Sequence, residues 1–288
     1  MKFKKMLFVT DFDELWFDAL ESLMGLRKAG LNHVVFLHVI NREDVAMHRG
    51  AGYLKEEDVR LKQMADVRFI DWAESVFEKG MECGAYVVVG NPIPKILSTA
   101  ETEGVDFIVT EAHKRTKLEK LFASSTTMEL LRRSKIPVLV HKYMLPSGRV
   151  NNKPFDTPLL VTDWSSPCER ALEQLIDIKK AVKNIVTVHV IGDDVIKGKS
   201  KDDLMKIQKE NKKRLEDICK TFEDEGVEAD SHLCMGDVAS QIENAAREYN
   251  ATMIVMGSTG KGAWRARWLG SVSQGITETS EFPTLLIP

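Results

Sequence analysis

A glycine-bearing stretch near the C-terminus has the residue types that bind phosphate. It runs from Met256 to Gly260 as MGSTG and continues, after nine more residues, with Gly270 and Ser271. Glycine lets a ligand approach bare backbone N–H groups, and it also gives access to positive φ. A serine at the start of a helix adds a hydroxyl where unpaired N–H groups and the helix dipole favour an anion. Basic residues of the intervening loop could add charge beside a phosphate chain, namely Lys261, Arg265 and Arg267.

The residues around this stretch predict the elements that position it. The apolar run TMIVM, residues 252–256, precedes the glycines and predicts a buried strand. The segment VSQGITETS, residues 272–280, has Val272 and Ile276 four apart and predicts a short helix. The order is therefore strand, glycine loop and helix N-terminus, which is a phosphate cradle.

Two common phosphate motifs do not fit this spacing. A Walker A loop needs Gly-Lys followed by Ser or Thr, whereas Gly262 follows Lys261 here. The dinucleotide fingerprint fails because Arg265 stands where its third glycine belongs. The spacing Gly-x2-Gly-x9-Gly-Ser instead resembles the ATP-binding loop of the universal stress protein family. A ligand-free glycine-rich surface loop is the alternative.

Composition sets the class of protein. A chain of 288 residues predicts about two domains, and a formal net charge of −3 gives no electrostatic reason to expect nucleic acid. The four cysteines show no CxxC pair and no metal-ligand spacing, which indicates reduced thiols and a cytoplasmic location. The N-terminal apolar run is too short for a signal peptide, and no segment has the ~18 apolar residues of a membrane span.

The chain repeats itself. FVTDFDE, which begins at Phe8, returns as LVTDWSS from Leu160, and LHVI from Leu37 returns as VHVI from Val188. VVVGNP, DFIVT and IPVLV of the first half correspond to LCMGDV, TMIVM and FPTLL of the second. The offset falls from 152 at Asp11 to 146 at Gly90, so the extra residues of the first half lie around NREDVAMHRGAGY. Such a pattern indicates the duplication of one domain.

Each half alternates short apolar runs with helical patterns, which predicts parallel sheets covered on both faces. In the first half we expect strands at KMLFVT, HVVFLHVI, AYVVVG, VDFIVT and PVLVH, with helices over 14–28, 56–79, 92–103 and 124–134. In the second half we expect a first strand from Pro158, a long helix over 201–225 and a last strand over 283–287. Residues 144–156 combine Pro, Gly, Asn and Ser without periodicity and are predicted to link a domain over 1–143 to one over 157–288.

The expected fold is α/β: two tandem Rossmann-like domains, each a five-stranded parallel sheet of order 3-2-1-4-5. A ligand then binds beyond the C-terminal ends of strands one and four, where the strand order reverses. Asp163 ends the first strand of the second half, Val190 ends the second strand and Gly257 follows the fourth. The tandem arrangement, the Asp after the first strand, the His-Val that ends the second strand and the glycine loop cover nearly the whole chain, which thereby resembles a tandem universal stress protein.

The resemblance implies a role for each matching residue. In nucleotide-binding members of the family an aspartate after strand one contacts the adenosine, and Asp163 has this position. A valine of strand two meets the adenine through its backbone, which corresponds to Val190. Ribose and phosphates are held by the positions that match Met256, Gly257, Gly260, Gly270, Ser271 and Val272. The resemblance further implies ATP or ADP as ligand, accompanied by Mg²⁺ or Mn²⁺, although no residue cluster specifies the metal.

The first half departs from this pattern at the loop. At the offset of 146, the three glycines are replaced by Glu111, Lys114 and Ser124, and Ser271 becomes Ser125. A carboxylate at position 111 repels phosphate, although Asp11 and Val39 remain and Lys114, Arg115 and Lys117 could attract an anion. We therefore expect one nucleotide site, in the second half, and a degenerate first domain.

Other conspicuous residues have simpler interpretations. His38 and His189 lie in apolar strands and are expected to pack with one ring nitrogen satisfied. Trp264 and Trp268 are expected to pack the loop, and the charged run KDDLMKIQKENKKRLEDICK to be a solvated helix face. No partner acid or nucleophile accompanies Asp163, so no catalytic residue is assigned.

Three kinds of function stay open: a nucleotide-dependent stress regulator, a slow ATPase or phosphotransferase, and an interaction scaffold. The first is favoured because the sequence has a phosphate cradle but no group that would position an attacking water. Family relatives with one domain commonly pair through their last strand, and an apolar edge strand needs cover. Val138–Val140 and Leu285–Ile287 are therefore expected to meet across a pseudo-two-fold axis, and a further homodimer and unnamed protein partners stay open.

Overall fold

The fold is an α/β architecture built on a ten-stranded sheet in the order β3-β2-β1-β4-β5-β10-β9-β6-β7-β8. It is described from a computed structural model that covers residues 2–12, 16–46, 52–111, 125–144, 150–260 and 269–288. Each half contributes five strands, and the order 3-2-1-4-5 confirms the predicted fold. Helices pack on both faces, so the central strands are almost continuously apolar.

The ten strands follow the chain in two sets. Those of the first half are β1 Lys5–Val9, β2 His33–Asn41, β3 Glu82–Gly90, β4 Phe107–Glu111 and β5 Val138–His141. Those of the second half are β6 Pro158–Val161, β7 Asn184–Gly192, β8 Glu228–Gly236, β9 Met253–Gly257 and β10 Thr284–Ile287.

The α-helices alternate with these strands. Those of the first half are α1 Trp16–Leu23, α2 Lys55–Glu78, α3 Pro92–Glu103 and α4 Ser125–Arg133. Those of the second half are α5 Ser166–Asp177, α6 Asp193–Ile196, α7 Lys201–Asp224, α8 Val238–Glu248 and α9 Ser271–Thr279. The sequence-based prediction makes the first helix too long. After Leu23 the chain continues as a 3₁₀ helix, Met24–Ala29, and Gly30, which has a positive φ, ends this helix.

The two halves join along their last strands. All other strand pairs are parallel, but β5 and β10 pair antiparallel, with Val138, Leu139 and Val140 opposite Leu286, Leu285 and Thr284. The predicted meeting of these strands is thus observed, with Thr284 rather than Ile287 at the end of the ladder. Because the pairing satisfies the backbone groups of both edges, the two predicted sheets form one continuous sheet.

Helix α2 has two sets of apolar residues. Val59, Met64, Val67, Ile70 and Val76 recur near helical spacing in the sequence, but only Val76 of these five is buried, and the other four are exposed. The buried face is instead defined by residues spaced three and four apart, namely Ala65, Phe69, Trp72 and Val76. Phe69 and Trp72 pack with Phe8, Phe12 and Phe36 in an aromatic cluster of the first half. The spacing of apolar residues therefore does not by itself identify the buried face of α2, because one set of them faces outward.

Candidate functional site

A cavity of about 410 Å³ lies at the C-terminal ends of β6, β7 and β9. This is the crevice expected from the reversal of strand order. The structure brings all the predicted site residues to its wall, namely Asp163, Val190, Met256, Gly257, Gly260, Gly270, Ser271 and Val272. The basic loop residues Lys261, Arg265 and Arg267 and the two tryptophans, Trp264 and Trp268, lie outside the described residues.

Asp163 is held in a fixed orientation beside the cavity. Its Oδ1 accepts hydrogen bonds from the backbone N–H of Ser165 at 3.0 Å and from the thiol of Cys168 at 3.1 Å. Burial raises the pKa of the Cys168 thiol, so the sulfur keeps its proton and acts as a donor. The other oxygen, Oδ2, lies 2.7 Å from the place that a Cβ on Gly260 would take. The carboxylate therefore stands between the start of α5 and the glycine loop.

Gly257 and Gly260 are required by the lack of space around them and not by a positive φ. A Cβ on Gly257 would lie 2.6 Å from Cβ of Pro167 and 3.2 Å from the backbone nitrogen of Cys168. Gly257 thus lets the first turn of α5 pack on the end of β9, whereas the sequence indicated that it leaves room for a ligand. Gly260 leaves room for Asp163. Gly270 has φ −63°, and the nearest atoms of the described residues lie 3.6 Å from its would-be Cβ, so within the described part of the chain neither space nor φ demands a glycine there.

The start of α9 provides the anion-binding groups. Gly270 caps the helix, and its own N–H donates to the carbonyl of Ser258 at 2.9 Å. The first intrahelical bond runs from Gln274 N–H to the Gly270 carbonyl, at 2.8 Å. The N–H groups of Ser271, Val272 and Ser273 therefore have no acceptor within the helix, and all three residues line the cavity. This end of α9 attracts an anion through these N–H groups and the helix dipole.

Several apolar side chains of the wall were missed by sequence reasoning. Val161, Val238 and Leu269 line the cavity together with Val190 and Met256. Cys168 also lines it, although the sequence indicated only a buried thiol. Val238 could have been found, because it follows the third strand of the half at the same edge of the sheet. Such a wall suits the flat, weakly polar face of a base or a similar ring.

The histidines occupy equivalent positions in both halves. The Nδ1–H of His38 donates to the carbonyl of Thr10 at 2.8 Å, and that of His189 donates to Thr162 at 2.7 Å. Each ring packs on an aromatic residue with positive φ, Phe12 or Trp164. These contacts support the predicted packing role, although His189 also borders the cavity.

An arginine covers the other side of each aromatic ring. Arg68 lies 5.3 Å from the centre of Phe12, and Arg214 lies 4.3 Å from Trp164. Stacking of this kind offsets the cost of positive φ in a residue with a side chain. The turn after strand one is therefore built in the same way in both halves.

The first half has different residues at the ends of its fourth and fifth strands. Glu111 and His141 end β4 and β5 side by side, where the second half has Gly257 and Ile287. His141 is fully buried, and its Nε2–H donates to the hydroxyl of Ser22 at 3.0 Å, while that hydroxyl donates to the carbonyl of Ala19 at 2.7 Å. Burial lowers the pKa of His141 to about 3, so the ring is neutral at physiological pH. Lys114, Arg115, Lys117 and Ser124 lie outside the described residues.

The described residues contain no cluster of three or more His, Cys, Asp and Glu side chains that could hold a metal ion. None of the helices in the described ranges is long and apolar enough to cross a membrane. The described wall of the site consists of backbone N–H groups, the Asp163 carboxylate, apolar side chains, and the polar side chains of Thr162, His189, Thr259, Ser271 and Ser273.

Comparison with known proteins finds the same fold and the same duplication. The sequence model of the universal stress protein family matches residues 2–142 and again residues 154–288. Universal stress protein MJ0577 of Methanocaldococcus jannaschii is 27% identical over 154 residues, which is 49% of this chain and 95% of that protein. Universal stress protein YxiE of Bacillus subtilis is 25% identical over 146 residues, 46% of this chain and 99% of its own. Each of these relatives thus corresponds in length to one half of the chain.

Solved structures include tandem relatives of similar length. A universal stress protein from Archaeoglobus fulgidus superposes with a TM-score of 0.73 and 25% identity, covering 100% of this chain and 99% of that one. A protein from Pseudomonas aeruginosa, described as a putative universal stress protein, superposes with a TM-score of 0.66 at 15% identity and covers 99% of this chain and 93% of its own. The second likeness concerns the fold alone.

Proposed function

Because the chain belongs to the universal stress protein family, in two consecutive copies, we propose that its second half binds ATP or ADP and acts as a nucleotide-dependent regulator in the stress response. The observation that supports this most strongly is the start of α9, where three residues whose N–H groups have no acceptor within the helix line a cavity of about 410 Å³ beside Asp163. A location in the cytoplasm is part of this proposal.

Each part of the nucleotide has a counterpart in the wall. The phosphates accept hydrogen bonds from the N–H groups of Ser271, Val272 and Ser273. The adenine lies against the backbone of Val190 and the apolar side chains around it. Asp163 accepts a hydrogen bond from the adenosine, since the contacts to its Oδ1 turn the carboxylate towards Gly260. A divalent ion would arrive with the phosphates, because the described side chains form no site of their own.

Binding, rather than turnover, is the function proposed. Hydrolysis of a phosphoanhydride needs a group that orients water at the terminal phosphate. Asp163 is assigned to the adenosine end of the cavity. Phosphate release measured on the purified wild-type protein and on an Asp163→Ala variant distinguishes the alternatives, since an ATPase using this site loses its activity in the variant.

The duplication provides a matched control for the binding site. Titration calorimetry of the full chain with ATP and with ADP should give about one nucleotide per chain, in the micromolar range expected of a site of this size. Asp163→Ala should weaken binding at least tenfold, because it removes a charged acceptor from the wall. Asp11→Ala, at the equivalent position of the first half, should leave the affinity unchanged. Two nucleotides per chain, or equal losses in both variants, would contradict the proposal.

A further inference from the structure

Helix α9 connects the candidate site with the junction between the halves. Its first residues, Ser271 and Val272, line the cavity. Its last residue, Thr279, lies eight residues after Ser271, or about 12 Å at the usual rise per residue. Ser280 caps this end, is fully buried, and leads through Phe282 into β10, the strand that pairs with the first half. The helix that carries the anion-binding groups is thus anchored at the junction.

The first half contributes a buried cation to that end of α9. Lys142 follows directly after β5 and is 2% exposed. Its Nζ donates a hydrogen bond to the backbone carbonyl of Ser280. The last carbonyl groups of a helix lack partners within the helix, and a cation beside them interacts favourably with the helix dipole. Lys142 therefore caps a helix that belongs to the other half of the chain.

A second contact from the first half supports the same helix further along. Nη2 of Arg132, in the last turn of α4, donates to Oε1 of Gln274 at 3.1 Å. The amide nitrogen of Gln274 donates in turn to Glu278, one turn later, at 2.9 Å. Two side chains of the first half thus hold α9, one near its middle and one at its end.

The charge of Lys142 is costly where it lies. Burial lowers its pKa to about 8, and the carboxylates of Glu243 and Glu281 only partly oppose this. Both carboxylates also pair with Arg247, at 2.7 Å each. A lysine whose pKa in the folded protein lies below its ordinary value destabilises the fold at neutral pH, because the unfolded chain holds the proton more tightly. An apolar side chain of the same length would fill this place without that cost.

We propose that Lys142 and Arg132 of the first half are positioning residues for the nucleotide site of the second half and act through α9. The inference rests on the proposed function of that site. It also assigns a task to the half that lost the phosphate loop: it fixes the helix whose first N–H groups receive the phosphates.

The test separates positioning from stability. Lys142→Met keeps the length and removes the charge, so its melting temperature without ligand should equal or exceed that of the wild type. Its affinity for ATP should nevertheless fall about three- to tenfold, the range of coupling through a packed element. Hydrogen exchange should become faster at the N–H groups of residues 276–280, because the last turn of α9 frays when the cap at the Ser280 carbonyl is removed.

A second pair of variants does not disturb the buried junction. Arg132→Met should weaken ATP binding about two- to threefold, as expected for the loss of one exposed contact. Arg133→Met is the matched control, because Arg133 lies next in the same helix and its guanidinium pairs with Glu129 of that helix, at 3.0 Å. It should bind ATP as the wild type does.

The outcomes distinguish this inference from the proposed function. Absence of ATP binding in the wild type would refute the proposed function itself. Normal wild-type binding, with unchanged affinity in both Lys142→Met and Arg132→Met, would overturn the positioning role alone. An affinity loss in Lys142→Met that is matched by a lower melting temperature and by equal losses in Arg133→Met would also overturn it, since general destabilisation would then explain the result.

Discussion

The two halves of the chain share a fold but differ at the ends of their fourth and fifth strands. In the second half these ends are Gly257 and Ile287. The start of α5 packs against β9 there, and a cavity lies open above Gly260. In the first half Glu111 and His141 occupy the same two places. The turn after strand one is nevertheless equivalent, with His38, Phe12 and Arg68 stacked like His189, Trp164 and Arg214. The comparison teaches that the turn after strand one can stay the same while the residues that end strands four and five differ.

The outer helices show a second contrast. Val67, Ile70 and Phe77 of α2 are exposed, and at the offset of 146 they correspond to the charged residues Lys213, Glu216 and Glu223 of α7. The inner faces agree, since Phe69 and Val76 correspond to Leu215 and Phe222, all buried. The core pattern is therefore common to both helices, and only the solvent-facing pattern differs.

The largest effect is expected from breaking the strand pair that joins the halves. Leu286 is buried opposite Val138, so Leu286→Lys places a charge in an apolar contact and should destabilise the protein by several kcal/mol. After proteolysis between residues 144 and 156, the wild-type halves should still elute together from a sizing column, whereas those of the variant should separate. Equal separation of both would refute the role of this contact.

The fully buried histidine of the first half should make stability depend on pH. Its pKa in the folded protein is about 3, against an ordinary 6.5 when unfolded. The unfolded chain therefore takes up a proton first, and stability should fall between pH 6.5 and pH 3 by up to about 5 kcal/mol. His141→Ile, which copies Ile287 of the second half, should lose less stability over this range in urea unfolding. Parallel curves for variant and wild type would show that other groups control acid unfolding.

Two glycines of the second half should respond differently to the same change. Gly260→Ala places a methyl group 2.7 Å from Oδ2 of Asp163 and should weaken ATP binding about ten- to hundredfold, as a displaced charged acceptor does. The methyl group of Gly270→Ala lies 3.6 Å from the nearest atoms of the described residues, so this change should alter the affinity less than threefold. Gly260→Glu should abolish binding, because it adds a carboxylate beside the phosphates. Calorimetry of all three tests this order, and a stronger loss in Gly270→Ala than in Gly260→Ala would contradict it.

The smallest effect is expected on the outer face of α2. Phe77 is 73% exposed, so Phe77→Glu, which copies Glu223 of α7, should change the free energy of unfolding by less than about 1 kcal/mol. Phe69→Ala, on the buried face of the same helix, should cost about 3 to 5 kcal/mol. Urea unfolding of both variants measures the difference. A large loss in Phe77→Glu would mean that this face is covered in solution.

The duplication, the strand order and the candidate site residues of the cavity wall were predicted from the sequence, whereas Val161, Cys168, Val238 and Leu269 of the same wall were not. Alternation of apolar runs with helical periods fixes element type, and the repeat of Asp11 as Asp163 marks equivalent strand ends. Because the C-terminal ends of parallel strands meet at one edge, the residues after β6, β7 and β9 had to share a crevice. The domain division at residues 144–156 and the binding roles of the wall residues stay predictions.

Only the tertiary structure decided what each of these residues touches. The sequence explained Gly257 by a ligand, whereas packing assigns its space to Pro167 and Cys168. Nothing local indicated that the Cys168 thiol holds Asp163, or that Lys142 caps a helix of the other half. The physical reason is that periodicity and turn chemistry are properties of neighbouring residues, which the chain order records. Contacts between distant residues depend on how whole elements pack. The effect of a buried charge or of a missing Cβ is therefore decided by the atoms that packing places beside it.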